Sequence, residues 1–148
     1  MAESPHPTGS LTQTLRERGL LHQVTDEAAL LAHLASGRSV HSGGRAVYCG
    51  FDPTADSLTI GNLVPIMLLA HVQRAGHTPV VVMGGGTGLI GDPSGKSAER
   101  QLRSREEIDR NVRAQMRIFE RILSFDAGRP NRAVMVNNAA WLEKLSYV

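Results

Sequence analysis

Two loops carry the residues that could handle a charged ligand. The first runs Gly50-Phe51-Asp52-Pro53-Thr54-Ala55-Asp56-Ser57-Leu58-Thr59-Ile60-Gly61-Asn62, from a strand-like segment into an apolar helix. It leads to a helix N-terminus, where free N–H groups and the helix dipole favour a phosphate. Thr54 and Thr59 supply hydroxyls and Asn62 an amide, while Gly61 removes a side chain where a planar base could approach the backbone. The same residue types also make an ordinary polar loop with a helix cap, and spacing alone leaves both readings open.

The second loop is GGGTGLIGDPSGK, starting at Gly84. Within it, Gly86-Thr87-Gly88-Leu89-Ile90-Gly91 matches the G-x-G-x-x-G fingerprint of dinucleotide sites. That fingerprint has to open a helix, and Asp92-Pro93-Ser94-Gly95 is expected to interrupt one here. Nor does a clear second strand follow with an acidic residue at its end. The stretch from Gly91 to Ser97 imitates a phosphate loop, but one residue too few separates Gly91 from Gly95-Lys96-Ser97, which would misplace the backbone cradle. What remains is a glycine-rich loop, expected to be mobile, that presents Lys96 and Arg100. Two such cations could clamp phosphates during a transfer.

The elements that would hold these loops can be read from periodicity and punctuation. Leu11 to Arg18 is predicted to be a helix, capped by Ser10 and stopped by Gly19. Thr25-Asp26-Glu27 caps a second helix, with Leu30, Leu31 and Leu34 on its apolar side and Gly37 as terminator. Ala46 to Cys49 is the first strand, Ile60 to Ala75 an apolar helix ended by Gly76, and Pro79 to Met83 a second buried strand. Strand, helix and strand form a βαβ unit, whose strands should run parallel with a right-handed crossover. Ser104 to Leu123 is predicted as an amphipathic helix, with Ile108, Val112, Phe119 and Ile122 on one face. Ala133 to Val136 is a third strand, followed by another short helical pattern. The fold class is α/β, nucleotide-binding in style. In an open parallel sheet of this kind, ligands sit beyond the carboxyl ends of the strands.

Composition narrows the class further. At 41% hydrophobic and 20% charged residues, the 148-residue chain is globular rather than disordered and fits one domain or part of one. No apolar run is long enough to span a bilayer, so no membrane partner is expected, and MAESPHPTGS reads as a disordered tail (residues 1–10) rather than a secretory signal. The single cysteine, Cys49, cannot form an internal disulfide, which suits a cytoplasmic location. From Lys96 to Arg132 there are ten Lys/Arg against six Asp/Glu. Arg110, Arg113, Arg117 and Arg121 fall on one helix face there, read first as a solvated, ion-paired surface and second as a contact for RNA. His71 and His77 are given no role, and Trp141 and Tyr147 are read as core or interface residues.

Taken in order, YCGFDPTADSLTIGNL, QRAGHTPVVVMGG and TGLIGDPSGKSAER resemble the front half of bacterial-type tyrosyl-tRNA synthetases. The resemblance covers Leu11 onward and is densest from Tyr48 to Arg100. It implies a Rossmann-like class I synthetase catalytic domain with a parallel sheet, of which residues 11–148 would be the N-terminal part. The second family signature, KMSKS, is not found, so the domain is expected to be cut short. The resemblance implies ATP as substrate with Mg2+ accompanying it, L-tyrosine and tRNA(Tyr) as the other partners, a homodimer in the full-length protein, and no metal ligands of the chain's own.

Residue by residue, the resemblance implies that Tyr48 hydrogen-bonds the substrate's phenolic hydroxyl. Asp92 would accept from its α-ammonium, with Thr87 close by. Cys49, Gly50 and Asp52 would line the adenylate cleft, and Gly61 and Asn62 would sit under adenine and ribose. The ATP signature conventionally written HIGH stands here as Thr59-Ile60-Gly61-Asn62. Threonine in place of the first histidine offers only a neutral hydrogen bond, so phosphate stabilisation would rest more on Thr54, Lys96 and Arg100. A related nucleotidylyltransferase and a non-catalytic truncated homologue are the alternative readings.

Overall fold

The computed structural model describes residues 10–37, 45–90 and 103–145. Local signals place most of the elements. Ser10 accepts from the Gln13 N–H at 3.3 Å and starts α1 (Leu11–Glu17), and Gly19 ends it at φ +67°. Asp26 accepts from the Ala29 N–H at 2.9 Å and starts α2 (Glu27–Ala35). Ser104 does the same for α5 (Arg105–Phe119), accepting from the Glu107 N–H at 3.2 Å. These are side-chain oxygens satisfying donors that a helix start leaves free. Gly76, at φ +89°, closes α3 (Ile60–Arg74) in a left-handed conformation that costs glycine little.

Strands β1 (Ala46–Phe51), β2 (Thr78–Met83) and β3 (Val134–Asn137) form one parallel sheet in the order β1-β2-β3. Strands added in sequence order by right-handed crossovers put both crossover helices on the same face. The core agrees: Phe51, Val81 and Met83 from the sheet meet Ile66, Leu69 and Ala70 of α3 and Phe119 of α5 in one cluster. The Phe51 and Phe119 rings stack edge to face with centroids 4.9 Å apart, an arrangement that suits the ring quadrupoles. Because side chains alternate across a strand, Tyr48, Val80, Val82, Val134 and Val136 point to the other face. Tyr48 is 76% exposed there and Val134 36%. Among the described residues, the apolar cluster forms on one face only.

A short helix, α4 (Gly85–Ile90), stands where the sequence suggested a loop. Glycine is a poor helix former, but here tertiary contacts override propensity. A β-carbon at Gly84 would overlap the Asp52 carboxylate, one at Gly85 would overlap the Asn137 amide, and one at Gly86 would lie 3.1 Å from the Ala139 Cα. The glycines are needed so that α4 can nest against the ends of β1 and β3. The glycine run is therefore a short helix rather than a loop, while Asp92 to Gly95, expected to interrupt a helix, lie outside the described residues. The dinucleotide reading still fails, because Asn137 and Asn138 occupy the space where a pyrophosphate would approach those glycines. The last helix, α6 (Ala139–Leu142), packs on α4. Trp141 within it is 46% exposed, so it is not a core residue.

Candidate active site at the carboxyl end of the sheet

The three strands finish level with one another. The Gly84 N–H donates to the Phe51 carbonyl at 2.9 Å, and the Asn138 N–H to the Met83 carbonyl at 2.9 Å. This brings Asp52, the Gly84–Thr87 turn and Asn137-Asn138 to one edge. Asn138 is the hub. Its Oδ1 accepts from the Gly86 N–H at 2.7 Å, and its Nδ2 donates to Thr87 Oγ1 at 3.1 Å. The Thr87 hydroxyl in turn donates to the Gly84 carbonyl at 3.2 Å. Thr87 is thereby oriented with its proton used and a lone pair remaining, so toward a ligand it can only accept.

Strand alternation separates two neighbours that the sequence had assigned to one cleft. Tyr48 and Gly50 lie on the open face, whereas Cys49 packs half-buried against the core. Burial pushes the Cys49 thiol above its ordinary value, and its Sγ lies 3.7 Å from the Gly50 carbonyl, to which the thiol donates. It is a protonated, partly packed thiol rather than a nucleophile. Gly50 has nothing within 4 Å of the position a β-carbon would take. Gly61 has only Thr59 Oγ1, at 3.6 Å. Unlike Gly84 to Gly86, these two glycines have no packing reason to be glycine, and each leaves open space.

At the N-terminus of α3, Asn62 Oδ1 accepts from both the Thr59 N–H at 3.0 Å and the Thr59 hydroxyl at 2.8 Å. Thr59 thus spends its proton inside the cap. Pro65 has no N–H, so it cannot donate to the Gly61 carbonyl one turn back. Thr54 and Asp52 are exposed in the β1–α3 loop. Asp92, Lys96 and Arg100 lie outside the described residues. Arg110, Arg113, Arg117 and Arg121 are all exposed, and no carboxylate among the described residues pairs with any of them. No cluster of three or more His, Cys, Asp or Glu is placed to hold a metal among the described residues.

Sequence reasoning missed Asn138, Asn111 and Gln115. Asn111 and Gln115 are 4% and 1% exposed on α5 and donate to carbonyls of the β1–α3 loop. One signal was available: Ile108, Asn111, Gln115 and Phe119 fall on a single helical stripe, so two amides stand where an amphipathic pattern calls for apolar residues.

Comparison with known proteins agrees with this architecture. The family described as tRNA synthetases class I (W and Y) matches residues 42–148. The chain is 52% identical over 132 residues to a tyrosine–tRNA ligase from Syntrophus aciditrophicus, covering 89% of this chain and 28% of that protein. It is 46% identical over 139 residues to one from Caldanaerobacter subterraneus, covering 94% of this chain and 32% of the relative. The structure resembles that of a C-terminally truncated Aspergillus nidulans mitochondrial tyrosyl-tRNA synthetase, with a TM-score of 0.72 at 28% identity, over 93% of this chain and 40% of the other. The chain therefore spans about a third of the length of these curated relatives. A parallel sheet whose strands finish level, glycines that leave open space at their ends and a family match over most of its length lead to one conclusion: this chain belongs to the class I tRNA synthetases of the tryptophan and tyrosine group.

Proposed function

We propose that the protein built on this chain is a tyrosine–tRNA ligase, and that residues 11–148 carry the tyrosine- and ATP-facing end of its catalytic domain. The observation that carries the proposal is the open sheet face, where the exposed Tyr48 shares one side of β1 with the unpacked Gly50, on the strand that ends at the Gly84–Thr87 turn. A phenol can exchange hydrogen bonds with the substrate's phenol. Thr87, accepting only, suits the substrate's α-ammonium, and Asp92 would supply the charge.

In the reaction, the tyrosine carboxylate attacks the α-phosphate of ATP and pyrophosphate leaves. The tyrosyl group then passes to the terminal ribose of tRNA(Tyr). No side chain has to form a covalent bond. Catalysis is positioning and electrostatic stabilisation of the phosphate in the transition state. On this reading the space above Gly61 receives the adenine end, with Gly50, Asp52 and Asn62 along the same cleft. Cys49 meets the nucleotide only at the margin of the core. Thr54, Lys96 and Arg100 face the phosphates, and ATP brings Mg2+ as part of the substrate. Thr59 contributes mainly through the cap, because its proton is engaged by Asn62. The same reading gives a homodimeric cytoplasmic enzyme; among the described residues no helix is long and apolar enough to cross a membrane.

Charging of tRNA(Tyr) by the whole native protein tests the proposal. Tyrosine should be transferred with one pyrophosphate released per adenylate formed, and tryptophan should not. Charging with tryptophan, or no charging with either, overturns it. The Thr59–Asn62 hydrogen bond is the one observation that favours a non-catalytic homologue, and the same assay decides between the two.

A further inference from the structure

We propose that Asn111 and Gln115 are positioning residues for the nucleotide loop, holding residues 53–57 in place for ATP; this rests on the ligase reading above. Asn111 Nδ2 donates to the Pro53 carbonyl at 3.0 Å, and Gln115 Nε2 to the Ala55 carbonyl at 2.9 Å and the Ser57 carbonyl at 3.5 Å. The loop has few bonds of its own. Pro53 lacks an N–H, and the Thr54 N–H reaches only back to the Asp52 carbonyl at 2.8 Å.

These amides are unusual choices for their sites. Both are almost fully buried on a face whose other members, Ile108 and Phe119, are apolar. A buried amide costs free energy unless its groups are paired. Gln115 Oε1 has no partner among the described residues, so this side chain is retained for its donor alone. The carbonyls it meets are acceptors, which fixes the orientation of the amide. Apolar residues at both positions would serve the core as well, but they would leave the loop carbonyls unheld.

The same helix also touches the other half of the site. Ile108 Cδ1 lies 3.3 Å from the position a β-carbon of Gly88 would take, so α5 abuts α4, which carries Thr87. One rigid helix therefore sets the separation between the Thr54–Thr59 loop and the Thr87 turn. Tyr48 is held independently by strand pairing, opposite Val80. Loosening the amide contacts should disturb ATP and leave tyrosine nearly unaffected.

The test uses the whole native protein with Gln115→Met, close in volume but without a donor, and Asn111→Leu. Tyrosine-dependent exchange of pyrophosphate into ATP is measured at varied ATP and varied tyrosine, and ATP affinity is measured separately by equilibrium dialysis. Loss of a hydrogen bond to the loop should raise KM and Kd for ATP roughly five- to tenfold. KM for tyrosine should stay within about twofold. Equal changes in both KM values, or no change in ATP affinity, overturn the proposal. Absence of exchange in the unsubstituted protein would overturn the ligase reading instead, and dialysis would still decide whether the amides position an ATP loop. If Gln115→Met does not fold, Asn111→Leu carries the same measurement.

Discussion

Replacing Asn138 by alanine removes both arms of the hub that joins β3 to α4. The Gly86 N–H, in a buried turn, loses its acceptor at 2.7 Å, and Thr87 loses a donor at 3.1 Å. An orphaned buried donor costs about 1–3 kcal/mol and the second hydrogen bond about 1 kcal/mol net. The α4 turn should therefore open more readily by roughly 2–4 kcal/mol, which at about 1.4 kcal/mol per tenfold is a 30- to 700-fold increase in the open population. Amide hydrogen exchange of a peptide spanning residues 84–90 reads this directly. Asn138→Asp keeps an acceptor for the Gly86 N–H, so it should lie much closer to the unsubstituted protein. Exchange in Asn138→Ala within about threefold of the unsubstituted rate would refute the reasoning, because the hub would then carry no free energy.

Other expectations follow from the same contacts. Phe119→Ala empties a fully buried site beside Phe51 and should destabilise the domain by about 3–5 kcal/mol in urea unfolding; a loss below about 1 kcal/mol would show that the cluster collapses around the gap. Burial, aided by Arg18 and Arg74, holds His71 below its ordinary 6.5, and burial with Arg45 and His33 does the same for His77. The unfolded chain then binds protons that the folded histidines refuse. Their contribution to stability is complete above pH 6.5 and declines as pH falls below it. Urea midpoints should drop between about pH 7 and pH 5.5, less so in His77→Gln, and midpoints flat over that window would contradict the assignment. Thr59→His replaces a hydroxyl already engaged by Asn62 with a group able to make a charge-assisted bond, so kcat for pyrophosphate exchange should rise roughly tenfold. A lower rate would mean that the cap matters more than the phosphates.

Much of the scaffold was legible because its punctuation is local. Ser10, Asp26 and Ser104 start helices where the sequence places them, and Gly19 and Gly76 end two of them at positive φ. The parallel pairing of β1 and β2 follows from strand, helix and strand in close succession. What escaped depends on partners far along the chain. Gly85 has to be glycine because Asn137 leaves it no room for a side chain, and no window around Gly85 contains that fact. Asn111 and Gln115 look like breaks in an apolar stripe until the carbonyls of Pro53 and Ala55 are placed against them. Within the site, the two-residue strand period already implies that Tyr48 and Cys49 face opposite ways. The family resemblance gives Tyr48 the substrate's phenol and puts Cys49 with Gly50 in the adenylate cleft, and the sheet packs Cys49 against the core.

The account depends above all on Tyr48 reading the substrate's phenol from the open face of the sheet. The most direct test is amino acid-dependent pyrophosphate exchange by the whole protein, with tyrosine and phenylalanine compared before and after Tyr48→Phe. The unsubstituted protein should strongly prefer tyrosine, since a site built to pair a hydroxyl rejects the analogue that lacks it. In Tyr48→Phe, kcat/KM for tyrosine should fall by about 3- to 15-fold, the worth of one neutral hydrogen bond, while the value for phenylalanine stays within about twofold. Equal losses for the two amino acids, or no preference for tyrosine in the unsubstituted protein, would contradict the claim.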